Sequence, residues 1–198
     1  MNPNSNVTLE NLAASSLAQC LLRISRVSPG TWQVLGVKVS AGTAVDAVKQ
    51  HDFKNPAAAV YFNLPDVSPL AAIMLFNPND MMCISKCFTG HSFPRGSFTT
   101  PADEVMLTEL GNIVLNAMMN GFLNALKKCL MPAVPQFVEG DVHRVTGELG
   151  KILNPNQGFR IITAALALQC DDSVAMSEVV ALLPEEIALK LELLQPPA

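Results

Sequence analysis

The chain has 198 residues, enough for one domain of ordinary size or two small halves around a shared core. Charged residues make up 15%, against about 25% in an average soluble domain, while hydrophobic residues reach 49% and the formal net charge is −4. This balance excludes intrinsic disorder, which needs low hydrophobicity and high net charge, and argues against nucleic-acid binding, which needs cations for phosphate. The longest apolar runs, Ala71 to Phe76 and Ile161 to Leu168, fall far short of the roughly 20 residues that cross a bilayer. The opening MNPNSNVTLENL has neither the basic nor the apolar region of a secretory leader, so a cytoplasmic protein with no membrane span is expected.

Residues 7–25 read as a helix, with Leu9, Leu12, Ala13, Leu17, Cys20, Leu21 and Ile24 at helical spacing, stopped by Ser28-Pro29-Gly30. Strands are predicted over 31–39, 58–63 and 70–76, with Pro65 to Pro69 turning the chain between the last two. Asn77-Pro78-Asn79-Asp80 opens a helix carrying Met81, Ile84, Ser85 and Phe88 and ending at Gly90; residues 89–100 form a loop. Thr100, Pro101 and Asp103 then make a helix start of cap, first-turn proline and third-position acid. The helical pattern runs to about Lys128, roughly 42 Å at 1.5 Å per residue, and Met131-Pro132 ends it. Residues 133–146, 159–169 and 174–183 read as strands, with Asp171-Asp172-Ser173 as a turn. Pro184-Glu185-Glu186 opens a last helix to about Leu194. The order is helix, three strands, helix, then the same again. An α/β (α+β) domain over 1–198 is expected, built from pseudo-twofold halves of about 1–99 and 100–198.

The five cysteines, Cys20, Cys83, Cys87, Cys129 and Cys170, show no disulfide framework and are expected to be reduced and mostly buried. Cys83 and Cys87 share a helix face, but His51, His91 and His143 are scattered, so no metal site is expected. His91 and His143 have no evident carboxylate partner and read as surface or structural residues.

The long helix carries the distinctive pattern. Glu109, Asn112, Asn116, Asn120, Asn124 and Lys127 fall within about 120° of one another. The opposite side carries Leu107, Leu110, Val114, Met118 and Ala125. Asn costs a helix a few tenths of a kcal/mol relative to Ala, so four on one face invite an explanation. One is a solvated face with drifted polar residues; the other is a flat contact surface of amides around one carboxylate.

The stretch ELGNIVLNAMMNGFLNALKKCLMPAVP resembles the signature helix of the CheC/CheX/FliY family of phosphatases, which act on the phosphorylated chemotaxis response regulator CheY. The family pattern is Asp or Ser, three residues, Glu, two residues, Asn, twenty-two residues, Pro. Glu109, Asn112 and Pro135 fit it. The first slot departs: it holds Val105, with Asp103 and Glu104 out of register. In the first half, TLENLAASSLAQCLL pairs Asn11 with Thr8 or Glu10 with Ala13, so the equivalent pair is broken either way. ELGKILN at Glu148 has Lys151 where Asn belongs and reads as coincidence.

The resemblance implies a fold of two pseudo-symmetric halves and hydrolysis of a phosphoaspartate on a CheY-like response regulator, with one site in the second half. Asn112 would place the attacking water and Glu109 would dock against a partner Lys, with Asn116, Asn120 and Pro135 in the partner-facing surface. It implies no cofactor of the chain's own, the Mg²⁺ being carried by the partner, and a CheD-like protein as a possible second partner. The low charge also leaves room for an apolar interface in a homodimer. The alternative is a non-catalytic adaptor of the same fold, binding a response regulator, a CheD-like protein or a flagellar switch component.

Overall fold

A computed structural model describes residues 3–64, 70–92, 99–154 and 156–194. The elements run α1 (Pro3–Val27), β1 (Thr31–Gly42), α2 (Ala44–Lys49), β2 (Ala57–Asn63), β3 (Ala71–Phe76) and α3 (Met81–Thr89). The second half follows with α4 (Pro101–Ala125), β4 (Gln136–Gly140), α5 (Val142–Leu149), β5 (Phe159–Cys170), β6 (Ser173–Leu183) and α6 (Glu185–Leu194). The expected turn at Pro65 to Pro69 and residues 93–98 of the loop expected over 89–100 lie outside the described residues.

Two short helices depart from the expected order, one in each half and at the same place, between the first and second strands. Thr43 caps α2 in a capping box with Asp46, and Ala44, Ala47 and Val48 are buried. Asp141 caps α5 through the Arg144 amide, and Val145 and Leu149 are buried one turn apart. The strand predicted over 133–146 is therefore a five-residue strand followed by a helix. Burial of Val145 and Leu149 on one helical face against the sheet decides the outcome.

The six strands form one sheet in the order β1-β5-β6-β3-β2-β4, with every neighbouring pair antiparallel. Exchanging the halves reverses this order onto itself, so the sheet is pseudo-twofold about the β3–β6 pair. The first strand of each half pairs with the second strand of the other, β1 with β5 and β4 with β2. The two halves thus share one sheet, each contributing an edge strand to the other's side.

Both faces of the central strands are covered, which explains their unbroken apolar runs. Ala58, Val60, Phe62, Ala72, Met74 and Phe76 face α1, α3, α4 and α6. The alternate residues Ala57, Ala59, Tyr61, Ala71, Ile73 and Leu75 face α2 and α5. Arg160 on β5 is buried at 3% exposure. Its guanidinium binds Glu185 and Glu192 of α6, the latter at 2.7 Å, and Asn6 of α1 at 3.2 Å.

Helix α4 ends at Ala125, three residues before the predicted end. Lys127 turns left-handed at φ 53°, and the Lys128 amide reaches back to the Leu123 carbonyl at 2.9 Å. This closure satisfies the last carbonyls but puts a side chain where glycine is preferred. Lys127→Gly is expected to stabilise the protein by about 1 kcal/mol, a rise in Tm of roughly 2–4 °C. An unchanged or lower Tm by calorimetry would contradict this closure.

Candidate functional site

The predicted start of α4 is present in full. Thr100 Oγ1 donates to Asp103 Oδ2 at 2.7 Å and accepts from the Asp103 amide at 3.2 Å, and the Thr100 amide donates to the same carboxylate at 2.9 Å. Asp103 is buried and spent on the cap, so it does not stand in for the missing acid of the motif. Val105 occupies that slot in the open, at 65% exposure.

Two close approaches place the rest of the helix. A Cβ on Gly111 would lie 2.6 Å from Val60 Cγ1, so α4 meets β2 with no room for a side chain there. A Cβ on Gly121 would land on Ser16 Oγ of α1. The Cys20 thiol donates to the Ile113 carbonyl at 3.8 Å, so with Ser16 beside Gly121 the helices run antiparallel. The buried side of α4 is broader than expected. Beyond Leu107, Leu110, Val114 and Met118 it takes in Met106, Leu115, Met119, Phe122 and Leu123, while Ala125 is half-buried. The sheet below and α1 alongside leave a narrow exposed ridge.

Glu109 lies on that ridge, exposed, with no hydrogen bond or ion pair among the described residues. Asn112, one turn further along, is half-buried. The i, i+3 spacing puts carboxylate and amide side by side. Ile113 flanks Glu109 at 41% exposure. Asn116 is half-buried and donates to Asn112, while Asn120 and Asn124 are exposed. Lys127 falls beyond the end of the helix and does not extend its stripe. Pro135 is half-buried and immediately precedes β4. In the first half, Ala13 is fully buried and Asn11 exposed, so neither pairing offered by that helix forms a carboxylate–amide site.

A ridge on a helix suits docking of another macromolecule better than enclosure of a small molecule. A cleft of about 950 Å³ opens elsewhere, between β4, α5 and the first turns of α4, and neither Glu109 nor Asn112 lines it. There Tyr61 donates to Gln136 Oε1 at 2.8 Å, and Lys151 pairs with Glu148 at 2.7 Å. The look-alike ELGKILN thus has its Glu tied to the Lys in its Asn slot.

The thiols are free. Burial pushes the Cys87 and Cys20 thiols up from their ordinary range, which disfavours the nucleophilic thiolate. Among the described residues no group of three or more His, Cys, Asp or Glu side chains is placed to hold a metal ion. No described helix is long and apolar enough to cross a membrane. One contact escaped the sequence reading: His51 Nδ1 and Glu178 Oε2 are 2.7 Å apart, joined by tertiary structure across the α2 side of the sheet.

Solved structures of flagellar and chemotaxis proteins share this fold. The chain is similar to FliY of Thermotoga maritima over 98% of its own length and 96% of that chain, with a TM-score of 0.73 at 9% identity. The FliM middle domain of H. pylori is similar over 96% and 99%, with a TM-score of 0.68 at 12% identity. A putative chemotaxis protein from Desulfovibrio vulgaris Hildenborough is similar over 86% and 95%, with a TM-score of 0.54 at 10% identity. No protein-family model and no curated protein matches the chain. At these identities the likeness shows the fold: the chain has the CheC/CheX/FliY-type fold that its long helix suggested.

Proposed function

We propose that the chain is a protein phosphatase acting on the phosphoaspartate of a CheY-like response regulator in the cytoplasm. The observation that carries this reading is the Glu109–Asn112 pair, presented side by side on the open ridge of a helix locked onto the sheet. In the reaction a water adds to phosphorus as the bond to the aspartyl oxygen breaks, giving inorganic phosphate and the free carboxylate. An acyl phosphate is already activated, and a Mg²⁺ carried by the partner would supply charge neutralisation there. This chain supplies position. The Asn112 amide is neutral and no useful base, but it can hold a water in line. Glu109 meets a partner cation and closes the site to other waters, while Asn120 and Pro135 border the docking surface.

The test is phosphate release from phosphorylated receiver domains with and without the chain. Acceleration for at least one receiver is expected; none for any would overturn the reading. Glu109→Lys should weaken docking by about tenfold or more through like-charge repulsion, while the fold is unaffected at this exposed position. Titration calorimetry checks it, and unchanged affinity would remove the proposed ion pair.

A second reading, an adaptor that binds a response regulator, a CheD-like protein or a flagellar switch component without catalysis, draws on Val105 and Ile113. These exposed apolar residues flank Glu109 and suit binding. The same assay separates the two, since an adaptor binds the receiver without speeding phosphate loss.

A further inference from the structure

Asn116 lies one helical turn after Asn112, and its amide nitrogen donates to that residue twice. One bond goes to the Asn112 main-chain carbonyl at 2.8 Å, the other to the Asn112 side-chain Oδ1 at 2.6 Å. A side-chain NH₂ group has two protons, so Asn116 spends both on a single residue. The consequence falls on Asn112. Its Oδ1 is held toward the C-terminal end of α4, and its own NH₂ group points away from Asn116. That NH₂ group has no acceptor among the described residues. Asn112 is therefore an oriented amide, with two free donor protons and one remaining lone pair on Oδ1.

We propose that Asn116 is a positioning residue that clamps the Asn112 amide in its working orientation before the partner arrives. This rests on the phosphatase reading and adds a second residue to it. An unrestrained Asn side chain on an open helix face samples several rotamers, and most of them cannot hold a water in line with phosphorus. The clamp removes that search in advance. It also accounts for an Asn at position 116, where Ala is the better helix former and where a side chain bonding back to the preceding turn competes with the helix. The two residues are half-buried, which shields the contact from bulk water.

The experiment compares Asn116→Ala, Asn116→Asp and Asn116→Gln in steady-state phosphate release, with affinity measured against a receiver activated by beryllofluoride. Removing the donors in the Ala and Asp variants should lower kcat by roughly ten- to a hundredfold with KM and Kd nearly unchanged. Gln keeps the NH₂ group and should recover activity above Ala. Wild-type kcat in the Ala or Asp variant, alongside an active parent, would overturn the clamp and leave the phosphatase reading standing. A parent inactive on every receiver would overturn the phosphatase reading instead. The clamp then has its own readout: Asn116 side-chain amide protons that exchange as fast as those of exposed Asn120 would overturn it, and slowed exchange would uphold it.

Discussion

Asn112→Ala is expected to lower phosphate release from a phosphorylated receiver by roughly 10²–10³-fold while leaving affinity within about twofold, the loss typical of a missing transition-state hydrogen bond. In the proposed reaction the amide would contribute position to the transition state and little to docking, which would fall to Glu109 and its apolar neighbours. Ala is also the better helix former, so α4 should be as stable in the variant as in the parent. An activity loss then cannot be assigned to unfolding. The measurement is kcat under saturating receiver, with affinity by calorimetry and the fold by circular dichroism. A variant within about threefold of wild-type kcat would sink the water-placing role.

Gly111→Ala is expected to destabilise the protein by about 1–3 kcal/mol, the usual cost of forcing a methyl group into a filled space. The sign makes this prediction sharp. On helix propensity alone the change would stabilise α4 by about 1 kcal/mol. A Cβ there would sit 2.6 and 2.7 Å from Val60 atoms, however, and Val60 is fully buried and has nowhere to go. The helix must lift from the sheet, carrying the neighbouring Asn112 with it, so kcat should fall too. Urea denaturation checks the stability through a lower midpoint at unchanged slope. A more stable variant would show that α4 does not rest on β2 at this point.

The long elements were legible because each carries several independent signals. Helix α4 combines a capping box, a first-turn proline and a long run of apolar residues at helical spacing, and its observed start agrees with the predicted one. The central strands were legible as continuous apolar runs between turns. Helices α2 and α5 were missed because six and eight residues are too few to show a period. Such helices are also too short to form alone. The sheet holds them through Val48, Val145 and Leu149. The exchange of edge strands between halves was likewise invisible, since no local pattern says which strand will be whose neighbour.

For the site, the sequence by itself determined the residue types and their spacing. A carboxylate and an amide three residues apart on a helix must share a face, because the backbone geometry leaves no alternative. It also determined that the first half lacks a matching pair. Tertiary structure alone decided which part of that face stays open. The width of the ridge depends on where α1 lies against α4, and contact with the sheet at Gly111 and with Ser16 at Gly121 places both. It also decided the state of the amide. Spacing put Asn116 on the stripe with the other amides. Where a side-chain amide turns is set by the partners within reach, and for Asn116 both lie on Asn112. Backbone periodicity is a property of the chain, whereas side-chain orientation is a property of the packed surroundings.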